Sequence, residues 1–563
     1  SYSRSYYRPS TLPTSLDRLP PSVPEGSKRD KNMLNWVWEN TLSYTTVIKD
    51  VHNLSAIAGW TAQKESVNTS LLAGNGYPND LVHTMNAASA ITNWSATAYE
   101  WSLLSALARV QYSYKGKYLL SAAARMDGSS RFGKNNRWGM FPSASAGWYI
   151  SEEDFMKDIK WLTSLKLRAS YGISGNFNIG NYEYYATLSE DNYVFGKADG
   201  TLASGLRPAT AGNPDLGWEK TAMFNLGLEI GLFNMLTLEL DLYNSNTTDM
   251  LLNVPVAEFS GFSTVPMNIG KVNNKGVEFA ISTTNTWGDF TWNNRFNISA
   301  NRNEVKDLGG VDEMITTSES VTFITKVGEP IGNYYTLVTD GVFANQAEID
   351  NSKNPDKSQR KYAYVSGAKP GDFRFKDMDG NMEIDENDRT ITGNYMPKFT
   401  YGFSTDFKYK WFDLSVALQG VQGNKIANIF RRYIDNMEGG NNCQVDALDR
   451  WQSESNPGSG YVVRANRSAT GMNGTTSTWH IEDGSYMRIK NITFGYTLPK
   501  SLLTNVGISR ARVYFSTQNP FTFTKYSGYN PEVNMKGGSL TPGIDYGTYP
   551  LSKSFVFGLN VTF

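Results

Sequence analysis

Strict alternation of apolar and polar residues recurs along this chain in stretches too long for ordinary globular strands. In LTLELDLY, Leu236, Leu238, Leu240 and Leu242 alternate with Thr237, Glu239, Asp241 and Tyr243, and FTYGFSTDFKY and FDLSVALQ repeat the pattern at 399–409 and 412–419. Similar stretches lie near 34–46, 52–63, 101–114, 117–128, 139–150, 164–174, 218–232, 272–284, 290–302, 486–498 and 509–518. The chain closes on SFVFGLNVTF, with Phe555, Phe557, Leu559, Val561 and Phe563 on one face. Successive side chains of a strand point to opposite faces, so each stretch has one apolar and one polar side. About fifteen strands of roughly 10 to 15 residues result, where globular strands average about 5 to 6.

A sandwich would bury the apolar face under a second sheet, whereas a transmembrane barrel turns it to lipid. The connections separate the two. About 519–552, 424–485, 304–397, 175–217 and 64–100 are long. Alternating with them are 499–508, Lys410-Trp411, 285–289, 233–235 and Lys115-Gly116, which are short or tight, while 250–271, 151–163 and 129–138 are of middling length. Long loops on one side and short turns on the other are the plan of outer-membrane barrels. The reading is an all-β fold: a transmembrane antiparallel β-barrel whose wall spans 34–563, with 1–33 as the remnant of an extracellular loop. Its final strand presents its aromatic end to the headgroup boundary.

Composition excludes several alternatives. The chain has 563 residues and a formal charge of -1, so bulk electrostatics draw it to no nucleic acid. Its mean hydropathy is -0.42, and no run approaches the roughly 18 to 20 apolar residues of a membrane helix. One cysteine, Cys443, rules out an internal disulfide framework. The three histidines stand apart from it and no GxSxG, P-loop, HExxH or Cys/His dyad occurs, so no enzyme activity is expected. SYSRSYYRPS has no apolar core and does not read as a signal peptide. An odd strand count predicts that an odd number of further strands precedes Ser1, making the chain the carboxyl-terminal part of a larger protein or half of a split barrel.

Several long segments resemble one family. KGKYLLSAAARMDGSSRFGKNNRWGMFPSASAGWYISEE at 115–153, PGDFRFKDMDGNMEIDENDRTITGNYMPKFTYGF at 370–403, SYMRIKNITFGYTLPK at 485–500 and NPFTFTKYSGYNPEV at 519–533 are similar to segments of the SusC/RagA-like TonB-dependent outer-membrane transporters. The terminal GLNVTF also looks like the signal read by the barrel-assembly machinery. The resemblance implies a 22-stranded barrel, of which about 15 strands are visible, with the amino-terminal plug and first strands absent from this sequence. It further implies a SusD-like surface lipoprotein as lid, TonB acting through the missing plug, and location in the bacterial outer membrane among its lipids.

Two sets of residues are candidate sites. In DMDGNMEIDEND, Asp377, Asp379, Asn381, Glu383, Asp385 and Asp388 fall at positions 1, 3, 5, 7, 9 and 12 of a calcium loop, where hard oxygen ligands can wrap Ca²⁺. Met382 stands where such loops carry glycine, and an ion-free acidic surface loop is the alternative. Calcium is the one ion expected, and no cofactor is required. Tyr433, Trp451 and Trp479, with Tyr461, Tyr526, Tyr529 and Tyr546, fall in outward loops where rings can stack on sugars or equally pack the loops themselves. The functional expectation is an importer of oligosaccharides or peptides. A structural barrel without active transport is the second reading, and a soluble glycan-binding β-sandwich array the third.

Overall fold

The computed structural model describes residues 2–8, 23–79, 81–196, 200–435, 437, 442–466, 471–503, 507–534 and 538–563. Sixteen strands follow one another through a single sheet in strict chain order. They are β1 Tyr2–Arg8, β2 Glu25–Ile48, β3 His52–Asn75, β4 Ala90–Tyr114, β5 Tyr118–Ser129, β6 Trp138–Tyr149, β7 Leu162–Asn176 and β8 Glu219–Leu232. Then come β9 Leu236–Thr248, β10 Lys271–Trp287, β11 Phe290–Asp307, β12 Phe399–Tyr409, β13 Phe412–Gln422, β14 Tyr486–Thr497, β15 Arg510–Thr524 and β16 Ser554–Thr562. All fifteen strands expected from the alternation are present.

Three expectations need correction. Within the segment 1–33 expected as a loop, 2–8 and 25–33 are strand: β1 pairs antiparallel with the first residues of β2, from Tyr2↔Lys31 to Arg8↔Glu25, while Ser1 and 9–22 lie outside the described residues. With sixteen strands the parity argument for an odd number of preceding strands loses its premise. The loop expected at 64–100 shrinks to 76–89, because β3 runs on to Asn75 and β4 starts at Ala90. One physical reason covers both strand extensions. β2, β3 and β4 have 24, 24 and 25 residues, whereas roughly 9–11 suffice for a tilted strand to cross a bilayer. Their outer parts, SKRDKN in β2 and KESVNTS in β3, have water on both sides, so the hydrogen-bond ladder continues after the apolar alternation has stopped.

The chain divides into two compact units. The first comprises Ser1–Ala146, Ser170–Ala222 and Thr247–Ile269. Its hairpins close through turns with positive φ at both central residues, Lys49 and Asp50 at 52° and 57°, and Lys115 and Gly116 at 53° and 68°. Such turns match the right-handed twist of the strands they join. Phe132, Phe141, Leu216 and Trp218 form its buried cluster.

The second unit comprises Gly147–Ala169, Met223–Asn246 and Gly270–Phe563. Its turns at Phe233-Asn234, Gly288-Asp289 and Lys410-Trp411 are tight. Burial here runs opposite to that of a water-soluble sheet. The strands leave their large apolar side chains uncovered: Phe557 is 81% exposed and is flanked on its face by Phe555 and Leu559. The apolar cores lie instead in the long loops. Leu337, Val342, Phe343, Ile349, Phe373, Phe375 and Val463 form one cluster, and Val321, Phe323, Tyr334, Ala427, Ile429 and Ile544 another. The loops also build small sheets of their own, one of four strands from 313–318, 321–326, 333–336 and 390–394, and one of three that brings 425–428, 481–483 and 544–545 together.

Candidate functional site

On the polar face of the second unit, charges are balanced by neighbours across strands. Lys166 Nζ lies 3.3 Å from Glu229, Arg168 Nε 3.0 Å from the same carboxylate, and Arg168 Nη2 2.6 Å from Asp241. Gly227 makes this reach feasible, since a Cβ there would stand 2.6 Å from Arg168 Nε. Next to this chain of pairs is a cavity of about 580 Å³, lined by Glu239, Asp241, Glu278, Asn297, Ser299, Gln419, Tyr486 and Glu532 among others. Asp241 and Glu532 are each held by an arginine. Glu278 accepts the Ser299 hydroxyl at 3.3 Å, and among the described residues neither Glu278 nor Glu239 has an ion pair. On the polar face of the first unit a second cavity, of about 710 Å³, is lined by Leu103, Leu107, Phe141, Ile173, Phe177 and Trp218 with Arg109, Arg125 and Asp127.

The alternation has one exception that the structure explains. Arg488 and Lys490 share sequence parity with the apolar Ile492 and Phe494. Between Ile489 and Asn491 the register of β14 shifts against both neighbours, leaving Lys490 out of the ladder. A β-bulge therefore accounts for the break in parity, and it turns Arg488 to the polar face, where it pairs across to Gln419. Its guanidinium bonds Thr522 at 3.0 Å, Glu532 at 2.5 Å and Asn530 at 2.7 Å. No motif in the sequence identified these partners; the break in parity was the only signal.

In the acidic loop three carboxylates converge. One carboxylate oxygen from each of Asp377, Asp379 and Asp388 lies within 4.8 Å of the others. Asp388 is fully buried and accepts the N–H of Met378 at 2.7 Å and of Asp385 at 2.8 Å. Burial raises the Asp377 pKa, but the N–H groups of Met382 and Gly380 outweigh it and hold the group below the usual carboxylate range. Glu383 turns away to Arg360 at 2.9 Å, which depresses its pKa, while Asp385 and Asn381 accept backbone N–H groups of the loop. Met382 adopts φ 61°, the left-handed conformation that glycine supplies in calcium loops.

The aromatic candidates divide by packing. Trp451 donates its indole N–H to Ala344 O at 3.1 Å and packs on the larger loop cluster. Trp479 packs on the same cluster, with the Arg431 guanidinium 4.1 Å over its ring. Tyr433 is the more exposed and shares a 2.6 Å hydrogen bond with Tyr546. Tyr461 and Tyr529 are exposed, whereas Tyr526 is buried and donates to Asp545 at 2.6 Å.

Beside Trp479, burial and then the charges of Arg431 and Arg432 push the His480 imidazole down to about 3. Its Nδ1 accepts the Ser477 N–H at 3.3 Å, which requires the unprotonated nitrogen. An unfolded histidine titrates near 6.5, so His480 contributes full stability above that pH and loses it as pH falls toward the folded value. At pH 5 the loss amounts to about 2 kcal/mol. Urea midpoints of the loop region at pH 7 and pH 5 should therefore differ more in the wild type than in His480→Phe. Asp435, raised by burial against the pull of Arg431, gains stability as pH falls, but it is present in both proteins and cancels when the pH shift of one is subtracted from that of the other.

The sequence profile of the family described as TonB dependent receptor-like, beta-barrel, matches residues 1–519. TonB-dependent receptor P3 of Formosa agariphila is 35% identical over 549 residues, covering 95% of this chain and 53% of that protein. TonB-dependent receptor SusC of Bacteroides thetaiotaomicron is 33% identical over 484 residues, covering 83% and 44%. Among solved structures, that of the RagAB peptide transporter superposes with a TM-score of 0.81 at 27% identity, covering 100% of this chain and 58% of that one. The chain thus spans about half the length of the curated relatives it matches. With its lipid-compatible outer face and ion-paired polar face, the chain belongs to the TonB-dependent receptor-like β-barrel family, in its SusC/RagA-like group, and is an outer-membrane protein.

Proposed function

We propose that this chain forms the barrel wall of an importer for oligosaccharides or peptides. A SusD-like lipoprotein acts at its outer surface, and TonB supplies energy through the remaining part of the receptor. The polar cavity of the second unit carries the reading: it offers carboxylates, amides and hydroxyls to a hydrated cargo on the face turned away from lipid. The likeness to the RagAB peptide transporter supports the peptide class. Cells lacking the receptor should lose uptake of one labelled class, oligosaccharide or peptide, and regain it with the intact gene. Unchanged uptake of both would leave the structural-barrel alternative standing.

The loop 377–388 enters this reading as a calcium site, with Asp377, Asp379 and Asp388 as the ligands that converge. Calcium would stiffen the loop by drawing three like charges onto one ion. Residues 370–392 should resist protease better with calcium than with chelator, and equal cleavage under both would remove the site.

A further inference from the structure

A nearly buried arginine on a barrel strand needs a reason. Arg488 is 1% exposed, while its ionic partner Glu532 is 48% exposed and lines the polar cavity. Three features combine. The bulge at Lys490 is what aims the guanidinium at the polar face. All three of its directions are used: Nε on Thr522 of β15, Nη2 on Asn530 and Nη1 on Glu532, the last two in the segment following β15. Gln419 then holds the cavity side of the arrangement, bonding Tyr486 at 2.8 Å and Glu532 at 3.4 Å.

We propose that Arg488 is a positioning residue of the import path: by clamping Asn530 and Glu532 it fixes segment 526–534 on the wall and sets where the Glu532 carboxylate stands in the cavity. The proposal rests on the import reading for its consequence, though not for its geometry. The segment has its own anchors, Tyr526 and Val533 packed on Ile426, so loss of the clamp frees the stretch between them rather than the whole loop. The pair also parts asymmetrically. Glu532 can turn to water, while Arg488 keeps neutral acceptors on Thr522 and Asn530. A cargo group that bonds Glu532 would therefore compete with Arg488, whose buried charge would then rest on the neutral oxygens of Thr522 and Asn530 at a cost that favours return of the clamp.

Glu532→Gln and Arg488→Met, with Arg488→Lys as the conservative variant, test this in the full receptor with its lipoprotein. Hydrogen exchange of 526–534 should quicken about tenfold in Glu532→Gln, the factor that 1.4 kcal/mol carries. Arg488→Lys should fall between wild type and Arg488→Met. In cells with equal receptor levels, the half-saturating cargo concentration should rise by more than the maximal uptake rate falls. Unchanged exchange in Glu532→Gln would overturn the clamp, even if Arg488→Met fails to assemble. Faster exchange with an unmoved half-saturation would reduce Arg488 to a structural staple and overturn its role in the path. If the wild type imports neither cargo, the import reading fails while the exchange experiment still decides the clamp.

Discussion

With arginine in place of Phe557 the receptor loses about 2–4 kcal/mol of stability in the bilayer, the cost of a cation on the lipid face near the midplane of a barrel. Phe557 stands midway along the nine-residue β16, its ring 4.8 Å from Phe515 of β15 on the same face. Among the described residues little covers it, and it is 81% exposed. One residue earlier, Val556 points to the opposite face, where it pairs across to Ser516. Arginine at 556 has water to reach and should change stability by no more than about 0.5 kcal/mol, as for ordinary exposed substitutions. Urea titration of folding into phosphatidylcholine vesicles measures both. Equal costs at 556 and 557 would mean that protein, not lipid, covers the apolar face.

This contrast is legible in the sequence because two solvents write it there. Where lipid wets one face and water the other, polarity must alternate, and every strand that crosses was found from that pattern. The pattern ends where the solvents do. The outer turns of β2 and β3 stay paired through Asn32↔Asn68 and Lys28↔Leu72, yet water on both sides removes the demand for alternation, so they read as loop. The loop cores fail for the converse reason. Val321 to Thr325 is a strand buried on both faces, and a short unbroken apolar run does not declare itself strand or helix.

The candidate sites follow the same logic. Spacing alone placed six residues at ligand positions; in the fold the carboxylates of Asp377, Asp379 and Asp388 converge, the Glu383 side chain goes to Arg360 and Asp385 caps a short helical turn. Trp451 and Trp479 were singled out for lying in outward loops. Rings that close a loop core and rings that meet a ligand look alike in sequence, and these two are held by the core. Arg488 left a trace only because a bulge shifts parity by one; its partners Asn530 and Glu532, more than forty residues away in a connecting segment, left none.

Removing the carboxylate of Asp372 should unfasten the long loops while leaving the strands assembled. Asp372 is fully buried. It accepts Arg464 Nε at 2.8 Å, Asn473 Nδ2 at 2.9 Å and the Lys369 N–H at 2.9 Å. Asn473 in turn accepts the Phe373 N–H at 2.8 Å, so one side chain ties the loop after β11 to the loop after β13. In Asp372→Ala the Arg464 guanidinium, 19% exposed, and the buried Asn473 amide lose the acceptor they share, and about 3–5 kcal/mol, the cost of breaking a fully buried pair, is the upper bound of the penalty. That penalty falls where Phe343, Phe373 and Val463 pack, at the same cluster as Trp451 and Trp479. The β-ladder has its own hydrogen bonds and its lipid contacts, neither of which passes through Asp372. Hydrogen exchange should therefore accelerate across 337–384 and 451–479 and remain slow in β12 to β16, and heat-modifiable migration of the barrel should persist. Loss of protection in the strands together with the loops would show that the outer core and the barrel fold as one cooperative unit.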